Sequence, residues 1–190
     1  MKKTLLFVSV LMISVMTTAC INNFAVQELN TKAKIYMEQG DYAAAIERLK
    51  SSIDLDDSNF ETHYNLAVAY TQSEDYANAI IQFKEALEIN NEIADIYYSL
   101  AVAEESLTVD LESGVVRVAE NGTLYKFEGN SSSDDSDEYL PSQSVLDLIN
   151  DYKQDAIKNY QLYLEKAPQA SDAREVTEKI KDLQDKEDDN

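Results

Sequence analysis

The sequence predicts an all-α chain, a solenoid of stacked helix pairs carrying one small β insert. Three observations predict it: a self-match at an offset of 34 residues, a break in that match of about 43 residues, and an amphipathic stretch after the last match. Ala33, Tyr36, Asp41, Tyr42, Ala45 and Ile46 recur as Ala67, Tyr70, Asp75, Tyr76, Ala79 and Ile80. Leu49, Ile53 and Leu55 return conservatively as Phe83, Leu87 and Ile89. A fixed period of this length marks a helix pair that cannot bury its apolar faces alone and does so by stacking on the next copy.

A third first-helix follows, because Leu66, Ala67, Val68 and Ala69 reappear as Leu100, Ala101, Val102 and Ala103. Its second helix is displaced. Ala79, Ile80, Phe83 and Leu87 find their next counterparts at Ala156, Ile157, Tyr160 and Leu164, 77 residues on, so an insert splits the third repeat. Small residues at Ala67, Ala79, Ala101 and Ala156 let helix backbones approach closely. Tyr70, Ile80, Phe83 and Tyr160 fill the grooves between them. Gly40 stands where a first helix must turn into a second, a place that tolerates left-handed backbone. After Pro168, the run Ala173, Val176, Ile180 and Leu183 has helical spacing and predicts one capping helix that closes the stack.

These residues resemble the tetratricopeptide repeat family over 26–59, 60–93 and 94–170. The family's small residue late in the first helix matches Ala33, Ala67 and Ala101. Its tyrosine matches Tyr36 and Tyr70, and its second-helix alanine matches Ala45, Ala79 and Ala156. The chain departs from the pattern at Glu104, where the tyrosine belongs, at Asp57 and Asn91, where proline belongs, and at the bulky Tyr163. The resemblance implies a non-catalytic fold that binds a protein or peptide in a concave groove. That groove would be lined by Asn30, Lys34 and Met37, by Tyr64, Val68 and Thr71, and by Tyr98, Val102 and Glu105. Family members that clamp a peptide's C-terminal carboxylate use basic residues on the third first-helix; here Asp95 and Ser99 stand there, so that specificity is not expected.

Residues 1–19 read as a targeting signal: Lys2 and Lys3 form a basic head, Leu5 to Met16 is apolar, and Thr17-Thr18-Ala19 precedes the lone Cys20. The segment resembles a bacterial lipoprotein signal, with cleavage before Cys20 and a diacylglyceryl group on its sulfur. A retained membrane helix is the rival reading, since Thr4 to Ile21 reaches the lower limit of spanning length. Both place the remainder outside the cytoplasm. Ile21 after the cysteine resembles outer-membrane sorting, facing the periplasm, in a two-membrane cell; in a one-membrane cell the anchor would sit on the outer face of the cytoplasmic membrane. Residues 20–25 form the lipidated end and a short linker, which spans at most about 18 Å.

The chain carries 36 acidic and 16 basic residues, a net charge of −20. Such a surface repels nucleic acid and anionic headgroups and favours a basic partner, besides keeping an exported protein soluble. With no cysteine beyond Cys20, no disulfide is available. Catalytic chemistry, metal and cofactor are not expected. His63 is the only histidine and takes a packing position, the four glycines never cluster, and no Gly-x-Ser-x-Gly elbow occurs.

The domain plan is 26–107 for two repeats and the third first-helix, 108–143 for the insert, and 144–190 for the displaced helix and cap. Within the insert, Val115 to Ala119 and Leu124 to Glu128 flank Asn121-Gly122, which predicts a hairpin with a two-residue turn. That turn sets Arg117 opposite Lys126 and gathers Val116, Val118, Tyr125 and Phe127 on one contact face. Thr108 to Leu111 alternates and reads as a third strand. The polar acidic run 130–138 reads as a disordered loop; it lacks the glycine and distant glutamate of a helix-loop-helix calcium site. From Ser142 helical spacing resumes. Two functions follow: an adaptor of the cell envelope that binds through the groove, or a structural accessory subunit docked through the insert.

Overall fold

The computed structural model describes residues 22–127 and 139–188. The expected signal, Cys20 and the acidic run 130–138 lie outside the described residues. The chain divides into two units, Met1–Ser73 and Glu74–Asn190, and the division falls inside the second repeat.

The first unit holds three helices: α1 over residues 22–38, α2 over Tyr42–Ile53 and α3 over Phe60–Gln72. Gly40 ends α1 with φ 75°. There the Asp41 amide donates to the Tyr36 carbonyl at 2.9 Å and the Gly40 amide to Met37 at 3.0 Å, a left-handed cap that satisfies the last carbonyls. Asp41 then caps α2 through the Ala44 amide, and Asn59 caps α3 through the Thr62 amide. Ala33, Ala45 and Ala67 are wholly buried, as helix backbones in close approach require. His63 is buried and its Nε2 donates to the Asp57 carbonyl at 2.8 Å, which makes it a packing residue.

The second unit holds α4 over Tyr76–Ile89, α5 over Ala94–Ser113, strands β1 over Val116–Val118 and β2 over Leu124–Lys126, α6 over Gln143–Lys166 and α7 over Ala173–Asp188. Asp75 caps α4 through the Asn78 amide, 34 residues after Asp41 does the same for α2. Glu74, one period after Gly40, adopts the same left-handed backbone at φ 59°, a conformation that costs a side-chain-bearing residue about 1 kcal/mol. The core gathers Ala101 of α5, Ala156, Ile157, Tyr160 and Tyr163 of α6, and Val176, Ile180 and Leu183 of α7. Thus α7 closes this unit with the face its spacing predicted.

Two expectations for the insert are corrected. Thr108 to Leu111 is not a strand: α5 continues through it to Ser113, with Leu107, Thr108 and Leu111 buried on one helical face. The helix stops at Gly114, which has φ 74° and lies under the Tyr139 ring; a β-carbon there would sit 2.6 Å from Tyr139 Cγ. The hairpin register is also shifted by one residue. Val116 pairs with Lys126, Arg117 with Tyr125 and Val118 with Leu124. The turn is three residues long, Glu120-Asn121-Gly122: the Ala119 amide donates to the Thr123 carbonyl at 2.9 Å, and Gly122 takes φ 84°.

Candidate interaction surfaces

That single-residue shift moves every side chain of one strand to the opposite face. Val116 and Val118 therefore do not share a face with Tyr125 and Phe127. Val116 is buried and Val118 and Leu124 half-buried on the side toward α5, whereas Tyr125 and Phe127 lie exposed on the other side with Arg117. Arg117 stacks there, its guanidinium 3.4 Å from the Phe127 ring centre and 5.1 Å from that of Tyr139. Its Nε also donates to the Gly114 carbonyl at 3.4 Å. On the inner side Lys126 reaches Glu74 at 3.4 Å, and burial raises the carboxyl pKa of nearby Asp110 despite Lys126.

The nine expected groove residues fall six in the first unit and three in the second. Asn30 is a core residue. Its amide donates to Thr62 Oγ1 at 2.8 Å, Ser52 Oγ at 3.0 Å and the Val26 carbonyl at 3.0 Å, while its oxygen accepts from Asn65 at 3.3 Å. All four side chains are buried, so this network ties α1 to α2 and α3. Lys34 is exposed and paired with Glu61. Met37, Tyr64, Val68 and Thr71 are half-buried, with the Tyr64 ring stacked on Phe60 at 6.1 Å. A recess of about 210 Å³ lies between α1 and the start of α3. Gln27, Thr31, Lys34, Asn59 and Glu61 ring it, and Val26 and Asn30 underlie it.

In the second unit, Tyr98, Val102 and Glu105 are engaged by α6 and α7. The Tyr98 ring centre lies 5.8 Å from that of Tyr160 and 5.3 Å from that of Tyr163. Val102 is packed against the same cluster. Glu105 accepts from the Tyr160 hydroxyl at 2.7 Å and pairs with Lys179 of α7 at 3.2 Å. Burial, with that hydrogen bond, holds the Tyr160 phenol far above its ordinary pKa. Tyr163 donates to Asp172 at 2.7 Å, and this bond first, then burial, pushes its phenol up to about 12.

Glu104 is the residue whose importance the pattern did not convey. It stands in the tyrosine column, but its partners are remote in sequence. The carboxylate is wholly buried and accepts one hydrogen bond, from Asn159 of α6 at 2.8 Å. Lys84 of α4 stands 3.6 Å from Oε1 and 3.5 Å from Asp155. Burial raises the Glu104 pKa to about 7, against the lowering effect of Asn159 and Lys84.

Among the described residues no group of acidic, histidine or cysteine side chains is arranged to hold a metal, and no helix is long and apolar enough to cross a membrane.

The "TPR repeat" family matches residues 33–74 and the "Tetratricopeptide repeat" family residues 60–93, so residues 33–93 carry tetratricopeptide repeats. The first TPR domain of human RPAP3 superposes with a TM-score of 0.59 at 19% identity, covering 87% of this chain and 96% of that one. The second TPR domain of human RPAP3, in complex with the HSP70 peptide SGPTIEEVD, gives 0.58 at 15% identity over 84% and 98% of the two chains. The TPR2B domain of yeast Sti1, in its pHsp70 complex, gives 0.57 at 13% identity over 86% and 98%. No curated relative matches. The fold is therefore the stacked helix-pair fold of those domains.

Proposed function

We propose that this chain is a lipid-anchored adaptor of the cell envelope that grips a protein or peptide partner without performing catalysis. The observation that carries the reading is the recess of the first unit. Lys34 lines it, exposed and paired with Glu61, and half-buried Met37, Tyr64, Val68 and Thr71 stand outside its lining on the same two helices, in a fold whose solved neighbours include peptide complexes. Partly exposed aromatic side chains on rigid helices are the usual anchors of such contacts. The acidic surface favours a partner of basic character.

The groove is tested with Tyr64→Ala combined with Lys34→Ala. Capture of the partner from detergent-solubilised envelopes is expected to weaken by more than about 2 kcal/mol, with helicity unchanged. Tyr98 is left alone because it packs on Tyr160 and Tyr163.

A second reading, docking as an accessory subunit through the insert, is favoured by Tyr125 and Phe127 on the outer side of the hairpin. Tyr125→Ser with Phe127→Ser separates the two. If capture survives the α1 and α3 changes and is lost with the hairpin changes, the groove reading fails.

The envelope assignment rests on the N-terminal signal and has its own test. Thioether lipidation needs the Cys20 sulfur, so Cys20→Ser is expected to abolish incorporation of labelled fatty acid and leave an uncleaved precursor. A wild-type chain that takes up no label would show that it is not a lipoprotein.

A further inference from the structure

We propose that Glu104 is a proton-operated latch on the helices of the second unit: protonated, it lets α4, α5 and α6 close around it, and ionised, it loosens them. The geometry is unusual for a carboxylate. No part of the residue reaches solvent, it has a single hydrogen-bond donor in Asn159, and Oε1 has no hydrogen-bond partner. A neutral acid tolerates this, whereas an unscreened buried anion is costly.

The surrounding charges do not remove that cost. From α4 comes Lys84, half-exposed, 3.6 Å from Glu104 and shared with Asp155. From α6 come Asp155, whose charge opposes ionisation, and the phenol of Tyr152, itself raised by burial. Tyr160 also faces this region from α6, but its hydroxyl is committed to Glu105, which Lys179 of α7 neutralises. On the hairpin side Lys126 serves Glu74, and its charge acts on Asp110. One shared ammonium therefore faces two carboxylates, only one of which is wet.

The sign follows from linkage. The folded chain holds the Glu104 proton up to about pH 7, whereas the free side chain releases it near 4.5. The stabilisation is fully present below the lower value and is lost as pH rises through the upper one. Because α5 ends at Ser113 and α6 begins at Gln143, the two helices flank the insert, and loosening them frees the hairpin. On the second reading, in which the hairpin docks a partner, that contact would then respond to the acidity of its surroundings.

The test uses the full-length chain in detergent. Carbon-13 NMR of labelled glutamate carboxyls, with Glu104→Gln to assign the signal, is expected to give Glu104 a midpoint near 7. Hydrogen exchange of the 143–166 amides, corrected for intrinsic rates, is expected to show protection falling about a hundredfold between pH 5 and 8, a factor of ten for each pH unit over which only the folded chain holds the proton. Glu104→Gln is expected to keep its protection across that range, whereas Glu105→Gln keeps the wild-type pH dependence. A carboxyl midpoint below about 5, at the ordinary value for glutamate, overturns the proposal. So does a neutral midpoint without loss of protection, or the same loss in Glu104→Gln. Should that variant not fold, titration and exchange of the wild type, with the signal assigned by sequential NMR, still decide.

Discussion

Tyr160→Ala lowers the stability of the second unit by about 3–5 kcal/mol, the cost of truncating a fully buried aromatic side chain. The ring is wholly buried at the meeting of α5, α6 and α7, where it touches Tyr98, and its hydroxyl is the short donor to Glu105. Tyr160→Phe separates the two contributions. It keeps the ring and removes only the hydrogen bond, so about 1–2 kcal/mol is expected because Glu105 loses a donor but keeps Lys179. Urea unfolding followed by helicity measures both variants. An alanine variant within about 1 kcal/mol of wild type would mean that α7 does not close on this ring.

Asn30→Leu costs the first unit about 2–3 kcal/mol and leaves partner affinity, per folded molecule, unchanged. The substitution removes a group that satisfies Ser52, Thr62 and Asn65 at once, and each of these is buried. A buried polar group stripped of its partner costs about 1–3 kcal/mol; relaxation through the Ser52 to Thr62 contact at 3.3 Å and the Thr62 to Asn59 bond at 3.1 Å limits the total. Thermal unfolding gives the first number and a binding isotherm the second. A loss of affinity with unchanged stability would return Asn30 to the groove.

The helix pairs were legible because their determinants are local and recur. A buried alanine where two backbones touch and an aspartate at the helix start each act within a few positions, so a period of 34 repeats them visibly, whereas the left-handed residue before the aspartate is Gly40 in one repeat and Glu74 in the next. The capping helix was legible for the same reason: Val176, Ile180 and Leu183 lie on one face whatever they pack against, and all three are buried. Local pattern misled where two structures fit it equally. Thr108 to Leu111 alternates like a strand, yet Leu107 and Leu111 are also one helical turn apart, and burial of that face carried the helix on to Gly114. Asn121-Gly122 announced the hairpin but not its loop length. The register places Val116 inward against α5 and leaves Arg117 to lie on Phe127 and Tyr139, a result of packing that a turn dipeptide does not encode.

The candidate site shows the same division. Repeat position put Asn30 beside Lys34 in a groove; both line the recess, and Asn30 also bonds inward to groups 22, 32 and 35 residues away. Tyr98 and Glu105 were likewise assigned to an open wall, and they contact α6 and α7. By itself the sequence determined that this is a repeat of helix pairs, where its first two pairs begin and turn, that a hairpin interrupts the third, and that no catalytic motif is present. Those properties depend on residue type and short-range spacing. Only the tertiary structure decided which face the hairpin shows, which polar groups are consumed inside, and that Glu104 meets Asn159 across 55 residues of chain. Such contacts depend on how distant helices pack, and no periodicity records them.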